Sequence, residues 1–361
     1  MNPLENELDY PWGDTLPGPG RALEVAADVR WIRMPLPFAL DHINLWLLRD
    51  RIGDREGWTV VDCGIDRTEV RDCWEAVFEQ ALDGLPVLRV LVTHMHPDHV
   101  GLAHWLCARW QAPLWMSMTD YAVARLWAGS SVADSSVEGS GPSGEGAARH
   151  FARHGLVDPQ ALDMIRARHD YYTRLVPDMP PRFHRLMHGQ EVSIGGRGWQ
   201  VIVGHGHAPE HVSLWCPDLG TLISGDMVLP RISTNVSVFD LEPESDPLRL
   251  YLDSLVAYER LPEDALVLPS HGRPFRGLHR RIAQQRTHHA ERLAEVLAAC
   301  EQPGSAYDLL PVLFHRKLDM HQLSFAMGEA IAHLHALYFQ GSLRRILGED
   351  GVYRFQSIRP Q

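Results

Sequence analysis

The sequence has 361 residues, of which 45% are hydrophobic, enough for a large domain with a sizeable core and a smaller second one. Its formal net charge of −12 is opposite in sign to the charge typical of nucleic-acid-binding proteins. No apolar run reaches the roughly 18 residues that a membrane span needs, so we expect no membrane partner. The N-terminus lacks the basic and apolar segments of a signal peptide, and the five cysteines form no CxxC pair. We therefore expect a cytoplasmic protein with reduced thiols.

The charge is unevenly distributed along the chain. From residue 271 to the end there are 12 basic and 8 acidic side chains, whereas the preceding part is strongly acidic. This asymmetry leaves nucleic-acid binding open for the C-terminal part alone and disfavours it for the rest of the chain.

Short β-branched runs alternate with helical patterns along most of the chain. Strands are predicted over residues 29–34, 43–48, 57–62, 88–93, 199–203, 212–215, 221–224 and 265–269. Apolar residues at helical spacing predict helices over residues 67–82 and 100–110. The alternation favours an α/β (α+β) fold with buried strands.

An insertion of about residues 118–190 separates two groups of predicted strands. It contains a Ser/Gly-rich segment, residues 130–146, which we predict to be a flexible loop. The helical segment that follows carries the aromatic pair Tyr171 and Tyr172. Insertions of this kind commonly lie over a site, so Tyr172 is a candidate substrate contact.

The pattern changes to helices after His271. Helices are predicted over residues 278–300, 307–314 and 321–339, followed by two strand-like runs around a turn at residues 348–351. Helices closed by a small hairpin resemble a winged-helix module. We therefore predict a catalytic domain over residues 1–285 and a winged-helix-like module over residues 286–361.

The strongest functional signal is the segment THMHPDH, which directly follows an apolar strand. It places His94, His96, Asp98 and His99 within six residues. Neutral imidazole and carboxylate groups are ligands of zinc and iron, and their alternation allows one turn to serve two metal ions.

Three more candidate ligands follow predicted strands. His207 occurs in GHAPEH, Asp226 in SGD and His271 in SHG. Because an α/β scaffold builds its site from strand ends at one edge of its sheets, we expect these side chains to meet the THMHPDH turn.

Together the motifs HxHxDH, GHxxxH, GD and SHG, spread over about residues 25–285, resemble the metallo-β-lactamase superfamily in content and order. The resemblance implies an αββα four-layer sandwich with a metal site at one edge. It also implies that one ion is held by His94, His96 and His207, the other by Asp98, His99 and His271, and that Asp226 bridges both. Two divalent ions are expected as cofactors; zinc is favoured, with iron or manganese as alternatives.

Further candidate residues lie close to these motifs. Asp62 matches the family's ligand-orienting aspartate, and His211 is expected to support the ligands. His205 is expected to be a supporting or core residue as well. Past Asp226, Arg231 and Asn235 have the reach to contact an anionic or amide-bearing substrate.

The resulting functional hypothesis is a metal-dependent hydrolase that uses a hydroxide shared by two metals to cleave a small thioester or ester. Asp98 and Asp226 are the expected catalytic carboxylates. The alternatives are a phosphodiesterase acting on single-stranded RNA, a lactonase and a persulfide dioxygenase. The acidic body argues against RNA, and the full ligand set argues against the single-iron dioxygenase. A homodimer remains open.

Overall fold

The computed structural model describes residues 3–128 and 144–358, which form two compact units. The first unit comprises residues 3–128, 173–234 and 254–282, and the second comprises residues 144–172, 235–253 and 283–358. The last segment of the second unit begins at residue 283, close to the domain boundary predicted between residues 285 and 286. The second unit also takes in two earlier segments that the sequence grouped with the catalytic domain. Most of the predicted loop at residues 130–146 lies outside the described residues.

A seven-stranded sheet forms one layer of the first unit. Its first four strands are antiparallel, and the last three are added in parallel. In spatial order the strands are β1 Leu23–Ala26, β2 Val29–Pro35, β3 His42–Ile52, β4 Arg55–Val61, β5 Val87–Leu91, β6 Leu114–Met116 and β7 Phe183–Arg185. The predicted strands β2 to β5 are confirmed, whereas β1, β6 and β7 are too short to show a periodic pattern.

A five-stranded sheet forms the second β-layer. From one edge to the other, its strands are β12 Leu266–Pro269, β11 Thr221–Gly225, β10 His211–Cys216, β9 Arg197–Gly204 and β8 Glu191–Ile194. β11 and β12 run parallel, and the other neighbours are antiparallel. The carboxyl ends of β11 and β12 therefore meet at the same edge.

The two sheets of the first unit share one core. Trp31 and Trp46 from the first sheet stack with ring centroids 6.3 Å apart, and both belong to a buried cluster that includes Trp199 from the second sheet. This arrangement matches the packing of facing sheets around interleaved apolar side chains.

Helices cover the outer faces of these sheets. The α-helices of the described residues are, in chain order, α1 Thr68–Gln80, α2 Pro97–Val100, α3 Ala103–Trp110, α4 Met118–Ala128, α5 Glu145–Arg153, α6 Pro159–Arg166, α7 Tyr171–Leu175, α8 Pro247–Glu259, α9 Leu278–Ala299, α10 Leu310–Leu313 and α11 Met320–Phe339. In the first unit, α1 packs on β2 and α3 on β5. Tyr258 of α8 hydrogen-bonds Ser213 of β10 at 2.9 Å. The predicted αββα sandwich is therefore confirmed.

The helix predicted over residues 100–110 is divided. α2 ends at Val100 and α3 begins at Ala103, because the backbone N–H of Leu102 donates to Gly64 O at 3.0 Å instead of continuing the helix. A side chain at Gly101 would collide with the backbone oxygens of Gly64 and Leu175. The close approach requires glycine and sets the direction of the ligand turn just before it.

The second unit contains the predicted C-terminal module. Its long helix α11 is followed by the antiparallel hairpin of β13 Leu343–Leu347 and β14 Tyr353–Ser357. The predicted succession of helices closed by a hairpin is confirmed. Within the described ranges, no helix is both long and apolar enough to cross a membrane.

A buried ion pair links the two sheets of the first unit. The Asp50 carboxylate accepts hydrogen bonds from Thr59 Oγ1 at 2.6 Å and Arg89 Nε at 3.0 Å in its own sheet. It also accepts one from the backbone N–H of Gly195 at 2.9 Å, while Arg89 donates to Ser193 O at 3.0 Å. Asp50 is 2% exposed and Arg89 is 5% exposed. Every charge in this link is thus paired and hydrogen-bonded, as burial requires.

We predict that Asp50→Asn lowers the free energy of unfolding by about 3–5 kcal/mol, because it leaves the buried guanidinium of Arg89 without its counter-charge. The matched control is Glu56→Gln, which removes the exposed partner of Arg49 and should cost less than about 1 kcal/mol. Urea denaturation followed by tryptophan fluorescence measures both. Equal losses in the two variants would show that the buried pair does not stabilise the sandwich.

Candidate metal centre

The ligand turn follows β5. Pro97 occupies the first position of α2, where its fixed φ favours helix initiation. His96 therefore keeps an extended backbone, while Asp98 and His99 lie in the helical turn. His94 Nε2 and His96 Nδ1 are 2.9 Å apart. The start of α2 thus separates His94 and His96, which precede the helix, from Asp98 and His99, which lie within it.

The other candidate ligands lie at strand ends on the same edge. His207 lies between β9 and β10, and its Nε2 is 3.1 Å from His94 Nε2. Asp226 follows β11 and His271 follows β12, and Gly225 pairs with Pro269 across these parallel strands. This register explains why His271 Nε2 lies 3.6 Å from Asp226 Oδ1.

The structure brings all seven predicted ligands together in three overlapping groups. Within each group the ligand atoms lie within 4.8 Å of one another. The groups are His94, His96 and His207; His94, His99 and Asp226; and Asp98, His99 and His271.

Asp226 lies at the centre of this arrangement. Its Oδ2 is 3.3 Å from His207 Nε2 and 3.6 Å from His99 Nε2. Together with the contact of its Oδ1 to His271, these distances place one carboxylate between ligands of both predicted ions.

Unpartnered buried atoms show that the cluster fits a metal. His99 Nε2 and Asp226 Oδ1 are buried without a hydrogen-bond partner among the described residues. Leaving such an atom unsatisfied costs about 1–3 kcal/mol, so each atom calls for a ligand. Nitrogen and carboxylate-oxygen donors together suit a divalent zinc, iron or manganese ion.

The electrostatics of the cluster favour bound positive charge. Burial lowers the pKa of His96 to about 3, which keeps this imidazole in the neutral form that binds metals. Burial also lowers the pKa of His271, but Asp226 and Asp98 outweigh it and raise that pKa to about 10. The carboxylates thus attract a proton to His271, and a divalent cation would take that proton's place.

Asp62 contacts the ligand turn in the way that a ligand-orienting residue would. Its Oδ2 is 2.9 Å from His99 Nδ1, and its Oδ1 accepts a hydrogen bond from the Thr93 N–H at 2.8 Å. The Asp62 backbone has a φ of 63°, which is uncommon outside glycine. Such strained conformations cluster at functional sites, which supports the predicted role.

The two remaining histidines of the β9–β10 region have different contacts. His211 Nε2 accepts a hydrogen bond from the Asp226 N–H at 3.0 Å, and burial lowers the His211 pKa, so the ring stays neutral. Gly225 has a φ of 55°, and a side chain there would collide with the His211 ring. His205 Nδ1 instead donates to Pro209 O at 2.7 Å. Neither histidine belongs to a metal-ligand group.

Sequence analysis missed the residues that hold the His271 loop. Asn44 Nδ2 donates to Pro269 O at 2.8 Å and to Gly272 O at 3.0 Å. His271 Nδ1 donates to His42 O at 2.8 Å, so its Nε2 is left for a metal. The one available signal was the amide of Asn44 inside the otherwise apolar run of residues 43–48.

The three candidate substrate contacts fall in different units. Arg231 belongs to the first unit; its side chain is 57% exposed, and its Nε lies 3.8 Å from Glu5 Oε2. Tyr172 and Asn235 belong to the second unit, where Tyr172 is buried and Asn235 Oδ1 accepts a hydrogen bond from Ser237 Oγ. Their roles in substrate binding stay predictions.

The sequence matches two family profiles. Residues 39–271 match the metallo-beta-lactamase superfamily, and residues 293–358 match the metallo-beta-lactamase-like C-terminal domain. The chain therefore belongs to the metallo-beta-lactamase superfamily.

Similar proteins span nearly the whole chain. A beta-lactamase domain protein from Burkholderia ambifaria shares 56% identity with a TM-score of 0.92, covering 99% of this chain and 100% of that chain. A metallo-beta-lactamase family protein from Thermus thermophilus shares the fold, with a TM-score of 0.73, 24% identity and coverage of 93% and 100%. The probable metallo-hydrolase YqjP of Bacillus subtilis (strain 168) is 23% identical over 353 residues, which is 90% of this chain and 97% of that protein.

We predict two divalent ions per chain, because the seven ligands exceed what one tetrahedral site accepts. Asp226→Asn should reduce the occupancy of both ions, since this carboxylate contacts ligands of both. Asp218→Asn, at the exposed turn between β10 and β11, is the control and should retain both ions. Elemental analysis of protein purified without added metal gives stoichiometry and identity. Loss of a single ion in Asp226→Asn would rule out a bridging role.

Proposed function

We propose that the protein is a metal-dependent hydrolase that cleaves a thioester or ester bond of a small acyl substrate. The observation that carries this proposal is the position of Asp226, within 3.3 to 3.6 Å of imidazole nitrogens from both predicted ion sites. A carboxylate shared in this way suits two ions close enough to act on one bond. Family membership and the similarity to a protein named as a probable metallo-hydrolase support the same class.

The chemistry follows from the ligands. Two divalent ions held there would lower the pKa of a water molecule towards neutrality and polarise the substrate carbonyl. Asp98 Oδ2 is 3.4 Å from His271 Nε2, and its side chain is 21% exposed against 9% for Asp226. Asp98 is therefore the ligand carboxylate nearer to solvent, and we assign it to orient the attacking water molecule.

Cysteine is a poor alternative nucleophile in this unit. Burial raises the pKa of the Cys107 thiol to about 12 and that of the Cys63 thiol well above its usual value. Both therefore remain protonated at neutral pH, whereas the thiolate is the reactive form. This supports water as the nucleophile.

An open cavity beside the β9–β10 loop has the size of a small-molecule site. Its volume is about 370 Å³, within the range of roughly 300–1,000 Å³ typical of small-molecule sites. It is lined by Arg185, Leu186, Met187, His188, Val203, His205 and Glu210. β7 is joined in parallel to β5 through β6, so Arg185 ends its strand on the same side as the ligand turn. Of these lining residues, His205 and Glu210 lie on either side of His207 in the β9–β10 loop.

The four arginines within ten residues of the last ligand do not offer a free path for a polyanion. They are Arg273, Arg276, Arg280 and Arg281. Arg273 pairs with Asp14 at 2.7 Å and Arg280 with Glu7 at 3.4 Å. The other two donate to backbone carbonyls of Asp264 and Ile232. Together with the net charge of −12, these contacts favour a small acyl substrate over RNA.

The test is a substrate panel with the purified protein. It comprises a short-chain acyl thioester, a nitrophenyl ester, a lactone, single-stranded RNA and a glutathione persulfide, each with and without chelator. We expect thioester or ester turnover that chelator abolishes and added metal restores. Faster cleavage of RNA, or oxygen consumption on the persulfide, would replace the proposal with the corresponding alternative.

We further predict a substrate contact for Arg231. Arg231→Ala should retain two metals and lower kcat/KM for a carboxylate-bearing substrate by about 10- to 100-fold, since a charge-assisted hydrogen bond contributes about 1.5–3 kcal/mol. Arg280→Ala is the matched control, because Arg280 is also exposed and pairs with an N-terminal acid. Kinetics equal to the control would exclude the contact. Loss of metal would assign Arg231 to the support of Asp226 instead.

A further inference from the structure

A buried carboxylate outside the predicted ligand set connects two ligand segments. Asp120 lies in the first turn of α4 and is fully buried. Its Oδ1 accepts a hydrogen bond from the Met95 N–H at 2.9 Å, and its Oδ2 accepts one from the Glu210 N–H at 2.6 Å. Ser117 Oγ is 3.3 Å from the same Oδ2.

The two amides belong to the loops of the three-histidine group. Met95 lies between His94 and His96 in the chain, and Glu210 lies three residues after His207. Met95 and Glu210 lie outside the strands, and buried N–H groups require an acceptor. A single side chain thus links the two segments that together supply His94, His96 and His207.

A second hydrogen bond returns from the β9–β10 loop to α4. Glu210 Oε2 accepts from the Thr119 N–H at 3.0 Å, next to Asp120 in the chain. Both carboxylates therefore lie at the N-terminus of an 11-residue helix, where the free N–H groups and the helix dipole favour negative charge. The β9–β10 loop and α4 are thus joined by two hydrogen bonds in opposite directions, one from the Glu210 N–H to Asp120 and one from the Thr119 N–H to Glu210.

The charge state of Asp120 allows it to accept hydrogen bonds from both ligand segments. Burial raises its pKa to about 6, against the lowering by the Glu210 and Met95 N–H groups. The carboxylate is therefore ionised at neutral pH and accepts hydrogen bonds with both oxygens.

The other group of ligands has further supports, one of which also reaches His94, since Thr93 Oγ1 donates to Asp62 and is 3.0 Å from His94 Nδ1. His99 is held by Asp62, and His271 is held by His42 O, with Asn44 fixing the loop that carries it. Within residues 3–128 and 144–358, no hydrogen bond joins Asp120 to any of these three supports.

We propose that Asp120, assisted by Glu210, is a positioning residue that sets the geometry of the three-histidine metal site and leaves the second metal site largely unaffected. The inference rests on the proposed function only in taking these histidines as metal ligands. Asparagine at position 120 would turn an N–H group towards one of the two backbone N–H donors, so that one ligand loop would lose its link to α4.

The test measures each metal separately. The variants are Asp120→Asn, Asp120→Glu as a conservative rescue, and Glu210→Ala as a milder loss that leaves the buried carboxylate in place. Glu69→Gln is the control, since it removes an exposed acid from the first turn of α1. Cobalt(II) is titrated into chelator-treated protein, and its visible spectrum and stoichiometry are recorded with the melting temperature.

We expect Asp120→Asn to weaken one of the two cobalt sites by about 10- to 100-fold, as loss of a ligand-supporting contact typically does. The other site should bind as in the unaltered protein. Glu210→Ala should weaken the same site less, and Asp120→Glu should recover part of the affinity. At saturating metal, kcat of Asp120→Asn should rise towards the unaltered value while KM stays constant.

Two results would overturn the inference: equal weakening of both cobalt sites, as from a general loss of stability, or no change at either site. If Asp120→Asn does not fold, the affinities of the two cobalt sites in Glu210→Ala are compared instead, and the same two results would overturn the inference. Two normal cobalt sites without acyl hydrolysis in the unaltered protein would refute the proposed function but leave the role of Asp120 intact.

Discussion

The carboxylate of Asp226 is buried among imidazoles of His99, His207 and His271, and the first unit is built to hold it there. A buried charge is stable only when it is paired or bound to a cation. The parallel pairing of β11 with β12 brings Asp226 beside the His271 loop, and His211 holds its backbone N–H. The close contact of His211 with Gly225 fixes that strand end. The αββα layers thus bring several strand ends to one edge.

Each ligand segment has a buried polar anchor of its own. Asp62 holds His99, Asn44 holds the His271 loop, and Asp120 holds the turn and the loop that supply the three-histidine group. Asp62 contacts the His99 ring directly, whereas Asn44 and Asp120 hold backbone groups; contacts around metal ligands influence metal affinity. We propose that Asp120 and Asn44 affect the affinities of different predicted ions, whereas Asp62 also reaches His94 through Thr93 Oγ1.

We take the charge of the chain as support for the proposed small acyl substrate over a polyanion. The body of the chain is acidic, and arginines after the last ligand are paired with Asp14 and Glu7. A long polyanion would have to break such pairs, whereas a small acyl compound needs only one or two donors. Arg231 in the first unit is exposed and lies five residues after Asp226 in the chain, which is why we propose it as the substrate contact to test by substitution.

The sequence by itself predicted which side chains meet, because their segments follow predicted strands and the strand ends of an α/β fold converge. The structure brings these seven side chains together. The sequence also determined the longer strands and the helical C-terminal part, since their periodic patterns are local. The supporting residues Asn44 and Asp120, the Asp50–Arg89 link and the assignment of residues 144–172 and 235–253 to the second unit were decided only by the tertiary structure. These features depend on contacts between residues that are distant in the chain. A local pattern shows that a side chain is buried, but which backbone group it meets is decided by the packing of the sheets and helices.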